Sequence, residues 1–333
     1  MSMYSLGNDL YSGKKSFNII GKRKLWYSIA LFFIVVTALL LAFKPINLGI
    51  DFRGGSQFTI SGTQNMSQQD AIDIVADYSG EDSARVSEVG ANSIRVQTGE
   101  LTNEETQEVR SGLAEAYNVP VEDVASTFIG PTWGADVSKQ AAQSLVVFVV
   151  LISVVLWIYF RTWTIAVGAI GALLHDLLIT VGVYVASGFE VTPATVIGLL
   201  TILGYSLYDT VVVFDKVREN TKGFAEQEEY TYAEAANLAV NQTLIRSINT
   251  SVTGLLPVGA ILVIGILFQG AGTLRDLSLA LFVGMLVSAI SSIFVASPLA
   301  VTLGERQQDI KEHTERVLAR RESATAEKIE EKA

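Results

Sequence analysis

The chain has 333 residues, of which 50% are hydrophobic and 17% are charged, and its formal net charge is −10. A soluble domain carries about 25% charged residues, so this composition excludes an ordinary soluble enzyme and indicates a lipid environment. The absence of cysteine excludes disulfides, thiolate catalysis and cysteine-bound metal clusters. The two histidines, His175 and His313, lie far apart in the sequence, and residues 12–16 (SGKKS) lack the upstream glycine of an ATP-binding loop. We therefore expect no metal, no cofactor and an energy source other than ATP.

Six mostly apolar stretches are long enough to cross a membrane, since a spanning helix needs about 20 such residues. They cover residues 25–43, 143–160, 164–187, 193–214, 248–268 and 277–303. The first stretch follows five basic residues, but it is too long for a cleaved signal peptide and no small-residue cleavage site follows it. It is predicted to be an uncleaved anchor.

Lysine and arginine set the orientation of the spans, because cytoplasmic segments are enriched in them. Basic residues concentrate in three segments that share one side of a six-span chain: 1–24, 215–247 and 304–333. The short loops on the other side contain one basic residue, Arg275. Both termini are therefore expected in the cytoplasm, with 215–247 holding a cytoplasmic loop and the start of span five. The tail is expected to be solvated and partly disordered.

Residues 44–142 then form the one substantial segment outside the membrane, and their pattern predicts a small α/β domain. Its elements are strand 50–61, a helix opened by Ser67-Gln68-Gln69-Asp70, strands 85–89 and 93–97 around Gly90-Ala91-Asn92, a helix from the capping box at Thr102 to Tyr117, and strand 121–129. This β-α-β-β-α-β order is the ferredoxin-like split motif. The many acidic residues of the segment, among them Glu81 and Asp82, argue against a nucleic-acid partner.

Ionisable residues inside the spans are the first candidates for function, because charges in lipid are costly and face a bundle interior or a water path. Asp209 lies near the cytoplasmic end of span four, and Arg246 reaches a similar depth if span five begins near Leu238. The pair is compatible with a proton or ion relay, with a static salt bridge, or with an arginine that extends to the surface independently. Asp215 at the membrane margin is expected to serve only as a cap or loop residue.

His175 and Asp176 lie about halfway along span three, where they could be a hydrogen-bonded interhelical pair or part of a relay. Adjacent helical residues point about 100° apart, so Asp176 is preferred for the polar core. Polar side chains near Asp209 could hold water or orient its carboxylate: Ser206, Tyr208, Thr210, Asn249 and Thr250.

The segment that follows span one contains Asp51, Arg53 and the glycine pair Gly54-Gly55. Paired glycines most often relieve a tight turn, and they could also form a hinge between the outside domain and the membrane.

Several ordered motifs carry a family resemblance. Residues 49–56 read GIDFRGGS, 129–131 IGP, 174–176 LHD, 204–215 GYSLYDTVVVFD, 217–220 VREN and 241–251 NQTLIRSINTS. Across residues 15–305 the chain resembles the SecF family, the smaller membrane subunits of the SecDF protein-export factor within the RND (resistance–nodulation–division) superfamily.

The resemblance implies a six-span RND-type half with one ferredoxin-like domain outside the bacterial cytoplasmic membrane, paired with SecD around a pseudo-two-fold axis. In that family the proton motive force moves the outside domains, which helps to pull an unfolded preprotein from the SecYEG channel after SecA has pushed it in. The family's relay positions fall on Asp209 and Arg246, with Asp176 carrying less weight. H⁺ is the implied coupling ion, with Na⁺ as the alternative, and a YajC-like small subunit is a further candidate partner.

Three other classes of protein are alternatives to a proton-driven export subunit. A non-transporting scaffold that only stabilises its partners would tolerate charge-neutral changes at Asp209. An exporter of lipids or drugs is disfavoured because such proteins usually carry two six-span halves and larger outside loops in one chain. An intramembrane enzyme lacks its nucleophile–base or metal pair, so covalent catalysis is not expected.

Overall fold

The computed structural model describes residues 3–79, 84–89, 92–223, 229–267 and 272–330. The elements in chain order are α1 (Met3–Tyr11), α2 (Arg23–Phe43), α3 (Ile50–Arg53), β1 (Gly55–Ser61), α4 (Gln68–Ser79), β2 (Arg85–Glu88), β3 (Ser93–Thr98), α5 (Asn103–Ala116), β4 (Val124–Ile129), α6 (Pro131–Phe160), α7 (Trp163–Ser187), α8 (Pro193–Asn220), α9 (Tyr232–Leu267), α10 (Gly272–Ser291), a π segment (Ser292–Ala296), α11 (Ser297–Gly304) and α12 (Gln308–Glu330).

Six helices in the described part of the chain are long and apolar enough to cross a membrane: α2, α6, α7, α8, α9 and the run from α10 to α11. Among them α7, α8 and the α10–α11 run are about half buried, whereas α2, α6 and α9 expose most of their surface. Polar side chains of the three inner helices are therefore the ones most shielded from lipid.

The helices are longer than the apolar stretches that predicted them. Helix α6 begins at Pro131 rather than near residue 143. Proline suits the first helical position because a backbone N–H there would have no partner within the helix, so its absence costs nothing. Helix α8 continues to Asn220 and α9 already begins at Tyr232, so most of the described part of 215–247 is helical rather than loop. The reason is that apolar patterning covers only part of each helix, while helical hydrogen bonding continues through the polar residues beyond it.

The chain ends differ from expectation as well. Residues 308–330 of the tail form α12 instead of a partly disordered segment, and Ile310, His313 and Val317 are buried. Arg321 of α12 forms an ion pair of 2.8 Å with Glu234 of α9. These contacts hold the end of the described chain against the same side of the bundle as α1.

The strands form one antiparallel sheet in the order β2-β3-β1-β4, with α4 following β1 and α5 following β3. In the central pair, Phe58 lies opposite Val96, and on its other side opposite Ser126 of β4. The sequence of elements agrees with the predicted β-α-β-β-α-β order. The predicted turn residues Gly90 and Ala91 lie outside the described residues, as do Glu81 and Asp82.

Alternation along the strands divides the sheet into an apolar and a polar face. The apolar face packs on α4 and α5 in a core that includes Phe58, Ile60, Val75, Val96, Val109 and Leu113. The opposite face carries Gln57, Thr59, Arg95 and Gln97, and it points towards the ends of α8 and α10. We call β1–β4 with α4 and α5 the sheet module, and the helix ends beneath it the sheet end of the bundle.

A capping box begins α5, as predicted. The Thr102 hydroxyl accepts from the Glu105 N–H at 3.3 Å, and the Glu105 carboxylate accepts from the Thr102 N–H at 2.7 Å and from its hydroxyl at 2.8 Å. These hydrogen bonds hold the pKa of Glu105 below its usual value.

Replacing Thr102 with alanine is expected to destabilise α5 by about 1 kcal/mol at neutral pH, because the helix loses its cap. A lowered folded-state pKa means that the Glu105 contribution is present above the pKa of the unfolded state and is lost as pH falls through the folded value. The variant's deficit should therefore shrink at acidic pH. Amide hydrogen exchange of residues 103–116 across pH measures it, and a deficit that does not change with pH would contradict this account.

Candidate functional site

Asp209 lies in the interior of α8, about 24 Å from the first residue of the helix and about 17 Å from its last. Its side chain is buried, with 4% of its surface exposed. The hydroxyl of Ser292 donates a hydrogen bond of 2.6 Å to Asp209 Oδ2. The partner of this carboxylate is therefore a neutral hydroxyl from the neighbouring helix.

Ser292 begins the π segment that separates α10 from α11. Pro298 lies just beyond the segment, and a proline cannot donate to the carbonyl four residues before it, which interrupts regular helical bonding. Across the segment, the Ser297 hydroxyl also donates to the Ser292 carbonyl at 3.0 Å. π segments inside helices frequently occur at functional sites.

Asp176 in the middle of α7 is the second buried carboxylate, with 1% exposure. The Ser206 hydroxyl of α8 donates to its Oδ2 at 2.7 Å, and His175 Nδ1 lies 3.2 Å from its Oδ1. The backbone carbonyl of Asp176 accepts from the Thr180 hydroxyl at 2.7 Å. As expected, Asp176 rather than His175 is the more deeply buried of the pair.

The two carboxylates belong to one polar layer that crosses the three inner helices. Ser206 and Asp209 are three residues apart on α8 and share a face, about 4.5 Å apart along the axis. The layer thus runs from Asp176 through Ser206 and Asp209 to Ser292. Thr210, the next residue along α8, is buried as well, and its supporting role stays a prediction.

Arg246 does not pair with Asp209 in this structure. Its side chain is exposed, while its neighbours Ser247 and Ser251 are buried, and no ion pair joins it to Asp209 in the part of the chain that the structure describes. The reason is rotational: Arg246 lies about 100° from Ser247 on α9, so the side of α9 that packs on the inner helices presents serine. The depth estimate placed the two residues at similar levels but did not give their directions.

The remaining predicted supporting residues differ in exposure, because they lie on different faces of α8 and α9. Tyr208 is 55% exposed and Asn249 is exposed, so neither belongs to the buried layer of this chain. Thr250 is half-buried, and its carbonyl accepts from the Tyr205 hydroxyl at 2.9 Å, which joins α8 to α9.

The buried layer contains further polar groups that sequence reasoning missed. Ser292 is the most important of them, and serines at 288, 291 and 292 with a following proline are the signal that could have indicated it. The hydroxyls of Ser247 and Ser288 are buried without a hydrogen-bond partner among the described residues. Among those residues, no group of three or more His, Cys, Asp or Glu side chains is arranged to hold a metal ion.

The glycine pair connects the sheet module to the bundle. Residues 50–53 form the short helix α3 instead of the predicted start of a strand, and Gly54, with φ of +78°, turns the chain into β1. A Cβ on Gly54 would lie 2.8 Å from Pro131 Cα, and one on Gly55 would lie 2.4 Å from the Thr98 carbonyl oxygen. Close backbone approach therefore requires glycine at both positions. The predicted role of the Gly54-Gly55 pair as a hinge stays a prediction.

Asp51 and Arg53 lie in α3 just before this connection and carry opposite charges. Burial raises the pKa of Asp51, and the nearby Glu190 carboxylate raises it further. Burial also lowers the pKa of Arg53, with a smaller contribution from Arg85. Asp51 lines a cavity of about 430 Å³ between the polar face of the sheet and the sheet end of α8 and α10.

These features define a class of protein: a multi-pass membrane protein whose inner helices share buried carboxylates and whose one sheet module lies at the end of the bundle. The family model described as "Protein export membrane protein SecD/SecF, C-terminal" matches residues 109–306, and that of the SecD/SecF GG motif matches residues 39–65. The second match includes Gly54 and Gly55.

Relatives match nearly the whole chain. A protein translocase subunit SecF of Streptomyces coelicolor is 42% identical over 97% of this chain and 86% of that protein. A SecF subunit of Mycobacterium tuberculosis H37Rv is 41% identical over 97% of this chain and 75% of that protein. The chain belongs to the SecD/SecF family of protein-export membrane proteins, and these relatives within it are SecF subunits.

Solved structures of SecDF share the fold. The crystal structure of SecDF from Thermus thermophilus superposes with a TM-score of 0.78 at 33% identity, covering 88% of this chain and 39% of that longer chain. A SecDF structure in a form described as super-membrane-facing superposes with a TM-score of 0.62 at 32% identity over the same share of each chain. This chain therefore corresponds to about two fifths of SecDF.

Proposed function

We propose that this chain is a SecF-like subunit that, together with SecD, uses the proton motive force to promote late stages of preprotein translocation through SecYEG. In this proposal a ferredoxin-like sheet module lies outside the bacterial cytoplasmic membrane, both termini are cytoplasmic, and protons exchange at Asp209 and Asp176. The unfolded preprotein is the substrate, SecA acts earlier in the same process, and no covalent catalysis takes place.

The observation that carries the proposal is the pair of buried carboxylates with hydroxyl partners. A serine hydroxyl can donate to a carboxylate and can accept from a protonated carboxylic acid. The Ser292–Asp209 and Ser206–Asp176 contacts can therefore persist in both protonation states by rotation of one hydroxyl. A fixed ion pair with a guanidinium would hold each aspartate in one state, and the described residues form no such pair with either carboxylate.

The energy available is sufficient for movement of a small domain. Transfer of one elementary charge through 100 mV yields about 2.3 kcal/mol, so a few protons per cycle can bias two conformations without ATP. H⁺ is the proposed coupling ion, and Na⁺ is the alternative that the export assay below distinguishes.

Comparison of the two SecDF structures supports conformational change in the family. They cover the same share of this chain at nearly the same identity, yet their TM-scores are 0.78 and 0.62. The two solved structures therefore differ in shape over the region that corresponds to this chain.

SecD is the proposed partner, and the existence of SecDF as one chain in a relative supports this association. SecDF of Thermus thermophilus is 33% identical over 88% of this chain and 39% of that protein. Arg246 and Asn249 are exposed on α9, which is costly in lipid. We propose that the partner subunit covers them, so that Arg246 joins the relay only in the complex, with a YajC-like small subunit as a further component.

Export of a model preprotein into inverted membrane vesicles tests the function. Vesicles with or without this chain and SecD are compared under a proton gradient, under a sodium gradient and without a gradient. The expected result is stimulation by the chain that appears under the proton gradient and disappears when a protonophore is added. Equal stimulation in all three conditions would contradict ion coupling and leave a scaffold that stabilises its partners.

A further inference from the structure

The sheet module meets the bundle through contacts of different character, and besides the two described below Arg85 Nη1 of β2 donates to Asn47 Oδ1 at 3.0 Å. The first is the tight connection at the glycine pair: a Cβ on Gly134 of α6 would lie 2.9 Å from Gly54 N and 3.0 Å from the Phe52 carbonyl carbon. Backbones so close leave no room for a side chain at Gly134, so α6 packs directly against the turn at Gly54. A pivot between the module and the helices is best placed at this contact.

The second contact centres on Glu190, in the loop between α7 and α8. Its Oε2 accepts from Arg95 Nη1 at 2.6 Å, and its Oε1 accepts from Gln97 Nε2 at 2.5 Å. Arg95 and Gln97 both belong to the polar face of β3, and the Arg95 and Glu190 side chains are each only 12% exposed. One carboxylate thus holds the centre of the sheet to the bundle.

The loop that carries Glu190 is itself held firmly on the helix side. The Val191 N–H donates to the Asn47 carbonyl at 2.8 Å, and the Val191 carbonyl accepts from the Gly49 N–H at 3.0 Å. Thr192 is the N-cap of α8, and its hydroxyl donates to Asp276 Oδ2 of α10 at 3.2 Å. The Glu190 loop is therefore tied to residues 47–49 and to the first turns of α8, which carries Asp209, and of α10, which leads into the π segment with Ser292.

Two cavities flank the Glu190 contact. One of about 430 Å³ and one of about 750 Å³ are both lined by Arg95, Glu190 and Asp276. The smaller one is lined mainly by polar side chains, and the hydroxyl of Ser93 in its wall is buried without a partner among the described residues. A polar contact between cavities can open without exposing a packed apolar interface to water.

We infer that Glu190 is a coupling residue: it forms a separable latch with Arg95 and Gln97, and movement of α8 and α10 opens it while the module turns about the glycine pivot. This inference rests on the proposed function, because it explains how events at Asp209 reach the sheet module. It adds a residue from a region that the relay does not include.

The absence of cysteine from the natural chain permits a direct test. Arg95→Cys and Glu190→Cys are combined, the full chain is assembled with SecD, and a bifunctional methanethiosulfonate reagent that a reductant cleaves joins the two thiols. Linking is expected to abolish the gradient-dependent export that the untreated double-cysteine variant shows, and reduction is expected to return export to the level of that untreated variant. The single-cysteine variants treated with the same reagent are the controls.

A charge exchange provides the second test. Glu190→Lys is expected to lower gradient-dependent export because it repels Arg95, and Arg95→Glu combined with Glu190→Lys is expected to restore it. Undiminished export by the cross-linked protein, or no recovery in the exchanged variant at normal subunit level, would overturn the latch. Gradient-dependent export by the unmodified chain in the same vesicles keeps this outcome distinct from failure of the proposed function.

Discussion

Export that responds to the proton gradient is expected to fall to its gradient-independent level when Asp209 is replaced by asparagine. Asparagine keeps the size of the side chain and can still accept the hydrogen bond from Ser292, but it cannot exchange a proton near neutral pH. The buried polar layer should therefore stay folded while the coupling is lost. Export into inverted vesicles with and without the gradient measures the effect.

Asp215→Asn is the matched control, because Asp215 lies on the same helix but is exposed and accepts from the Tyr159 hydroxyl at 2.8 Å. This variant should keep its response to the gradient. Subunit level and association with SecD are measured in both variants. An Asp209→Asn complex that assembles normally and keeps its full response would rule out the relay and favour the scaffold.

Replacement of Gly55 with alanine is expected to destabilise the sheet module by about 2–6 kcal/mol. The residue has a φ of +123°, and its Cβ would lie 2.4 Å from the Thr98 carbonyl oxygen, which is itself backbone and cannot move aside. Backbone strain and overpacking each cost about 1–3 kcal/mol. Amide protection of β1 and β3 should fall by about thirtyfold or more.

Gly62→Ala separates the cost of backbone strain from the cost of overpacking. Gly62 also has a positive φ, of +75°, but nothing lies within 4 Å of its Cβ position. Only the conformational cost of about 1–2 kcal/mol is expected there. Equal loss of protection in the two variants would show that close approach to Thr98 contributes nothing at Gly55.

Local patterns were sufficient to predict the order of elements in the sheet module. Alternation over residues 93–97 and the capping box at Thr102 depend on near neighbours, and the structure places β3 and α5 there. The predicted start of β1 was wrong because Gly54, with φ of +78°, separates α3 from β1. Its close approach to Pro131, which is distant in sequence, is not visible in a local pattern.

The candidate site was predicted in its positions but not in its contacts. Asp176 and Asp209 could be identified because a charge within an apolar run is costly wherever the helix packs. Arg246 could not be oriented, since its direction depends on which side of α9 packs against the inner helices. Ser292 was missed because its hydroxyl reaches Asp209 from a π segment, whose register no regular helical pattern gives.

The Glu190 contact could not have been predicted from spacing. Glu190 and Arg95 are 95 residues apart, and each looks like an ordinary charge near a turn or on a strand. Only the docking of the sheet onto the helix ends brings them together.

Infrared difference spectroscopy of the assembled complex in lipid measures proton exchange at the buried carboxylates most directly. As the pH on one side of the membrane is changed, a carboxylic-acid band should appear and disappear reversibly. Most of that band should be absent from Asp209→Asn and retained by Asp215→Asn. A spectrum in which no carboxyl group titrates, or in which the band persists unchanged in both Asp209→Asn and Asp176→Asn, would contradict a relay through this layer.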